Sequence, residues 1–328
     1  MATPAIDMRG VRKTFGPKVA VDDLDLAVPA GTLVGLIGPN GAGKTTAIRM
    51  VMSIIFPDRG DIRVLGRASA VESKDRIGYL PEERGLYKKM KVGPFLKYVA
   101  RLKGVDDAGL ETKVRGWLER LGLSDCYRKK SEELSKGMQQ KVQFIASVIH
   151  EPDLLILDEP FSGLDPVNSR LLRQLIDEQH RAGRTIVFST HQMSQAEALC
   201  DRIVMIHRGR KVLDNTPGEI RSRFDPRSVA FEPADGFDAA ALRAMPEVAG
   251  VHEGRSMIEA RLRDGVDAAG MIPRLASSFR VRRIEVVRPS LEDVFIEIVQ
   301  GEGASEEERE ALMAMVRADR ATSDAGGD

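Results

Sequence analysis

Apolar and polar residues alternate from residue 5 and then merge into a continuous apolar run ending in TLVGLIG. This predicts strands over 5–37, the last buried on both faces. GPNGAGKTT follows, and AIRMVMSII then carries a helical period. Phe56 to Gly60, FPDRG, reads as a turn, and RIGYLP reads as a short strand before a charged loop. From about 91 to 150 the pattern is helical. Phe95, Leu96, Val99 and Leu102 share one face, and Val114, Leu118 and Leu121 share another, where the single tryptophan, Trp117, is expected to pack. LLILD reads as a buried strand, SRLLRQLIDEQH as a helix, TIVFST as a strand and QMSQAEALC as a helix. RIVMIHRGRKVLD reads as a hairpin turning at Arg208-Gly209. Apolar strands alternating with helices predict an α/β fold, with a largely parallel sheet covered on both faces.

Composition shifts near 222–230. Beyond it SVAFEP, FDAAALRAM, VAGVHE, SMIEARL, AAGMIPRLASSF and VRRIEVV run strand–helix–strand–strand–helix–strand, and LEDVFIEIV closes as a helix. That order predicts a small α+β sandwich. The expected organisation is a domain over 1–222, a small C-terminal α+β domain over 223–300, and an acidic, flexible tail over 301–328.

Length and charge narrow the function classes. A chain of 328 residues points to two domains. Lys+Arg and Asp+Glu balance at 49 each, so no overall basic excess exists for nucleic acid or an anionic membrane. Cys126 and Cys200 form neither a metal spacing nor a disulfide framework, which suits a reducing, cytosolic setting. MATPAIDMRGV lacks an apolar signal core, and no apolar stretch reaches the length of a membrane span. Any membrane role is therefore expected to come through a partner chain.

Four constellations carry chemistry. Gly38, Pro39, Asn40, Gly41, Ala42, Gly43, Lys44 and Thr45 match G-x-x-x-x-G-K-[ST] between a strand and a helix, with Thr46 next. The glycines let backbone N–H groups wrap a phosphate, Lys44 reaches the β- and γ-phosphates, and the Thr45 hydroxyl suits Mg²⁺. At the end of LLILDEP, Asp158 is placed to hold Mg²⁺, and Glu159 is placed to orient or deprotonate a water. His191, after TIVFST, either caps the next helix or reaches the γ-phosphate from a strand's carboxyl end. In LSKGMQQKVQ, Ser135 and Gly137 stand at the start of a helix, the geometry of an anion site.

In order, GPNGAGKTT, LSKGMQQKVQ, LLILDEP, SGLDP and STH resemble the ATP-binding cassette (ABC) ATPases over roughly residues 5–220. The likeness is nearest to type-2 exporter ATPases of the sodium-extrusion kind, which carry a similar EERGLY loop and LSKGM motif. The resemblance implies a P-loop NTPase fold: a RecA-like core, an antiparallel β subdomain and an inserted helical subdomain, here about 85–150. It implies ATP and Mg²⁺ as ligands, with Phe15 against adenine and catalytic roles for Lys44, Glu159 and His191. It implies that Ser135 and Gly137 serve not their own chain's ATP but the γ-phosphate on a second copy, the two chains sandwiching two ATPs. It also implies separate transmembrane permease subunits and a peripheral place on the cytoplasmic face of the membrane.

Three positions depart from the common family pattern. Lys136 and Met138 replace a glycine and a glutamine of the signature, and Glu82 stands where a glutamine usually senses Mg²⁺. A carboxylate at Glu82 would repel Asp158 and Glu159 unless Mg²⁺ or Arg84 compensates. The alternative reading is a soluble, non-transport cassette machine. It is disfavoured by the compact segment between the phosphate loop and LSKGM, by the single phosphate loop, and by the lack of a basic stripe with interleaved aromatics.

Overall fold

The computed structural model describes residues 3–301 except Arg84, 224–227, 235–236, 255, 264 and 288–289. The tail expectation therefore falls, from 302 onward, outside the described residues. The chain divides into two compact units, one running to Pro217 and one beginning at Gly218.

The first unit contains, in order, β1 (Ile6–Phe15), β2 (Lys18–Val28), β3 (Leu33–Ile37), α1 (Lys44–Val51), β4 (Arg59–Val64) and β5 (Ile77–Leu80). Next come α2 (Val92–Leu102), α3 (Leu110–Arg120), α4 (Lys136–Val148), β6 (Leu154–Asp158), α5 (Pro166–Arg181) and β7 (Thr185–Thr190). Then follow α6 (Met193–Leu199), β8 (Arg202–His207), β9 (Arg210–Asn215) and, across the boundary, α7 (Pro217–Arg223). A six-stranded sheet has the order β5-β6-β7-β3-β8-β9 and is parallel except for β9. A three-stranded antiparallel sheet, β2-β1-β4, accompanies it. Every residue of β3, β6 and β7 is buried, which is why these strands carry consecutive apolar residues rather than alternation. The helices α2, α3 and α4 form the inserted helical subdomain.

The β8–β9 hairpin turns at Arg208 (φ 48) and Gly209 (φ 78). Two successive positive φ values define a type I′ turn, whose twist matches that of the flanking strands.

Several local expectations shift. The helix begun in AIRMVMSII ends at Val51, because Ser53 takes a left-handed φ of 55. Phe56 beyond it is 70% exposed. The FPDRG turn shortens because β4 starts at Arg59. Asp58 accepts hydrogen bonds from Lys13 Nζ, Thr14 N and Thr14 Oγ1, each at 2.7 Å, and so fixes the chain against β1. On α2, Phe95, Leu96 and Ala100 are buried but Leu102 is 58% exposed, so Ala100 closes the packed face. Trp117 is half-buried under the Arg120 guanidinium, 5.0 Å from the ring centre. Tyr127 packs its ring on Gly93, where a Cβ would come within 2.3 Å, and donates to Glu111 at 2.5 Å.

The second unit holds β10 (Ser228–Pro233), α8 (Ala239–Arg243), β11 (Val248–Glu253), β12 (Ile258–Leu262), α9 (Ala268–Ser278), β13 (Val281–Val287) and α10 (Leu291–Gly301). Its antiparallel sheet has the order β11-β12-β10-β13, the split β-α-β arrangement. Asp238 and Asp267 cap α8 and α9, and Val229, Phe231, Ala260, Leu262, Met271 and Leu275 form the core. Among the described residues, no helix is long and apolar enough to cross a membrane.

Candidate functional site

Three neighbouring parallel strands, β6, β7 and β3, deliver the chemistry at their carboxyl ends. The 38–45 loop follows β3, Asp158 and Glu159 end β6, and His191 follows β7. This is the edge where open α/β sheets bind ligands.

The loop's glycines answer to specific crowding. At Gly38 (φ 151) a Cβ would meet the Ile206 carbonyl oxygen at 2.2 Å, and at Gly43 (φ 111) it would meet that of Ala20 at 2.4 Å. The hairpin tip fastens the loop, since Gly209 N donates to Ala42 O at 2.8 Å and Asp22 N donates to Gly209 O at 2.9 Å. Gly43 is the N-cap of α1 and supplies no side-chain cap. The first-turn amides of α1 are thus left for an anion.

Lys44 is only 5% exposed. Its ammonium donates to Gly38 O at 2.7 Å and Pro39 O at 3.2 Å and lies 3.5 Å from Glu159 Oε1. Burial pulls its pKa down, against the upward pull of Glu159, Asp158 and Glu82. The Thr45 hydroxyl donates to Asp158 Oδ1 at 3.3 Å, and Ser189 Oγ donates to the same oxygen at 2.5 Å. Burial, aided by the adjacent Glu159 carboxylate, raises the Asp158 pKa despite these two hydrogen bonds.

Glu159 has a left-handed backbone, φ 47. Its N–H donates to Ser189 Oγ at 3.0 Å, and its Oε2 lies 3.0 Å from His191 Nδ1. Burial pushes this carboxyl up, but the His191 hydrogen bond and charge, followed by Lys44, leave it below its ordinary value. His191 thus contacts Glu159, which neither reading of it named, and the N-cap of α6 is Gln192 rather than His191.

A cleft of 350 Å³ opens on Lys44, Thr45 and Glu159, and is lined also by Phe15, Lys18, Ala20, Asn40 to Gly43, Thr46 and Glu82. Phe15 is 51% exposed, with Lys13 Nζ 5.6 Å from its ring centre. Glu82 is exposed and also lines a neighbouring cleft of 370 Å³ with Glu83, Gln140, Glu159, Ser162 and Gly163. Arg84, its proposed compensator, is outside the described residues.

Ser135 and Gly137 do not line the 350 Å³ cleft. Ser135 is exposed and is the N-cap of α4, its Oγ accepting from Met138 N at 3.3 Å. Gln139 ties the preceding turn down through Ser131 O and Leu134 O, both at 3.1 Å. In SGLDP, Asp165 caps α5 by accepting from Asn168 N at 2.9 Å.

The residue patterns alone missed Ser189 and Gln140. Ser189, wholly buried, bridges Asp158 and the Glu159 amide, and its one signal is a hydroxyl directly after the apolar run Ile186–Phe188 at the carboxyl end of a strand. Gln140 is 6% exposed and donates to Pro160 O at 3.0 Å; its signal is an amide at the helical spacing of Phe144 and Ser147.

Comparisons with known proteins bear on the family. Residues 21–162 match the family model described as ABC transporter, and 216–299 match the C-terminal domain of the DrrA1-3-like ATP-binding proteins. The chain is 41% identical over 289 residues to an uncharacterized ABC transporter ATP-binding protein, YhaQ, of Bacillus subtilis, covering 88% of this chain and 96% of that one. It is 36% identical over 221 residues to the Nod factor export ATP-binding protein I of Cupriavidus metallidurans, covering 66% and 73%. A solved ATP-binding subunit of an ABC transporter superposes with a TM-score of 0.63 at 32% identity, over 67% of this chain and 92% of that one. The phosphate loop on β3, the Asp158-Glu159 pair on β6 and the extent of these matches place the chain in the ATP-binding cassette family, as an ATP-binding subunit of an ABC transporter.

Proposed function

We propose that the chain hydrolyses ATP in a composite site formed by two copies, or by this chain and a similar ATPase, and thereby drives separate transmembrane subunits of an exporter. One observation carries this reading. Lys44, Thr45 and Glu159 line one cleft, with Asp158 bonded to Thr45 and His191 to Glu159 behind them, whereas Ser135, exposed, and Gly137, half-buried, form a second phosphate-type helix tip that does not line it.

In this reading residues 1–222 are the nucleotide-binding domain and 223–300 a separate small domain. Phe15 stacks on adenine, and Gly38 to Thr46 with Lys44 grip the phosphates. Glu159 orients or deprotonates the attacking water, and His191 holds that carboxylate in place. Positioning and electrostatics supply most of the acceleration, as in other phosphoryl transfers. The Thr45 hydroxyl and Asp158 carboxylate present two adjacent hard oxygens, a donor set that fits Mg²⁺, and burial of Asp158 favours a cation beside it. Mg²⁺ would neutralise phosphate charge there, with Glu82 as a further oxygen at the cleft mouth. Ser135 and Gly137 complete the site of the opposite copy. Export is supported by the printed name of the Nod factor relative, and in this reading a membrane partner would hold the chain peripherally on the cytoplasmic face.

The test is Glu159→Gln mixed with ATP over a range of protein concentrations, with mass measured by light scattering. An ATP-dependent dimer that turns over slowly is expected, and Lys44→Ala should lose ATP binding and the dimer together. A chain that stays monomeric with ATP bound at every concentration would overturn the composite site.

A further inference from the structure

Glu159 sits in a backbone arrangement that needs holding. Its φ of 47 is left-handed, unfavourable for a residue with a Cβ. Its carbonyl accepts from Ser162 N at 3.1 Å, which makes Glu159-Pro160-Phe161-Ser162 a β-turn with proline at its second position. Turn types I and II differ by a flip of the central peptide, the one whose carbonyl belongs to Pro160. Phe161, the third residue, keeps a negative φ, so the turn is of the type I sense, and a flip would force a left-handed φ on a residue with a Cβ. The Gln140 side chain ties that carbonyl to α4, donating to Pro160 O at 3.0 Å from a buried position. The Glu159 turn is thereby anchored on one side by Ser189 on β7 and on the other by Gln140 on α4.

Gln140 lies on the helix whose N-cap is Ser135. It also lines the 370 Å³ cleft with Glu82 and Glu159. We infer that Gln140 is a positioning residue that ties the Ser135 tip of α4 to the orientation of Glu159 in the same chain. This rests on the composite-site reading. When the tip of α4 engages a partner's phosphate, any displacement of the helix is passed to the Pro160 peptide and so to the water-directing carboxylate. Each chain then links the site it completes in its mate to the site it owns.

The test compares wild type with Gln140→Met, which keeps the volume and loses the donor, and with Gln140→Glu, which donates only when protonated. Gln140→Met is expected to lower kcat roughly 10-fold with KM for ATP nearly unchanged, and to lose positive cooperativity in ATP. For Gln140→Glu, the ratio of mutant to wild-type kcat should rise as pH falls. Urea midpoints of the same variants over the same pH range separate this from a purely structural effect, which would move the midpoint and kcat together. Wild-type kcat and cooperativity in Gln140→Met, or a pH-independent ratio in Gln140→Glu, would overturn the inference while leaving the composite site standing. Absence of the ATP-dependent Glu159→Gln dimer would overturn the composite site and the coupling together.

Discussion

His191 Nδ1 lies 3.0 Å from Glu159 Oε2, on the far side of the carboxylate from the Lys44 ammonium at Oε1. The carboxylate is thus held between an imidazole and a buried cation, and its oxygens have little freedom to turn.

That contact sets a pH dependence. Burial raises Glu159, and His191 is the largest influence that lowers it. The net shift is downward, so function is lost only as pH falls below the ordinary carboxyl range. His191→Ala removes the lowering influence, so Glu159 should protonate at a higher pH. Turnover is expected to fall roughly 100-fold, and the acidic limb of the kcat/KM profile should move toward neutrality. A profile that loses amplitude without shifting would show that His191 does not tune Glu159.

The loop glycines should differ in cost. At Gly38 an added Cβ meets the Ile206 carbonyl oxygen at 2.2 Å, whereas at Gly41 (φ 79) nothing lies within 4 Å. Gly41→Ala should cost only the left-handed penalty, about 1–2 kcal/mol. Gly38→Ala should add an overpacking cost of about 1–3 kcal/mol and shift the phosphate loop. Urea denaturation and ATP titration of both variants check this. Equal destabilisation would argue against the packing of the loop on β8.

The helical insertion carries an acid-sensitive clasp. Glu111 accepts from Lys97 at 2.7 Å and Tyr127 at 2.5 Å, which hold its pKa down to about 2. A depressed carboxyl contributes stability that is complete above its ordinary value and disappears as pH falls through the folded value. The difference in urea midpoint between wild type and Glu111→Gln should therefore be constant near neutrality and shrink between about pH 5 and pH 2. A difference independent of pH would mean that the charge of Glu111 contributes nothing.

Much of the core was legible because burial on both faces writes itself plainly: TLVGLIG, LLILD and TIVFST became β3, β6 and β7. Arg208-Gly209 announced its hairpin through turn chemistry. Elements whose limits depend on distant partners were harder to read. The end of α1 follows from the backbone of Ser53, and the start of β4 from an aspartate anchored to Lys13 and Thr14, 45 and 44 residues away. The candidate site divides the same way. Lys44, Thr45 and Asp158 occupy motif positions whose spacing is local. Ser189 and Gln140 act across 30 and 20 residues, through contacts no short window contains.

The natural cysteines offer an experimental opening. Cys126 and Cys200 are the only two in the chain, both are buried, and burial raises both thiol pKa values. A maleimide or bifunctional cross-linker added to the folded protein therefore meets almost no native competition. One sulfur installed at Ser135 and another at Asn40, both exposed, would report which helix tip faces which cradle without any prior rebuilding of the interior.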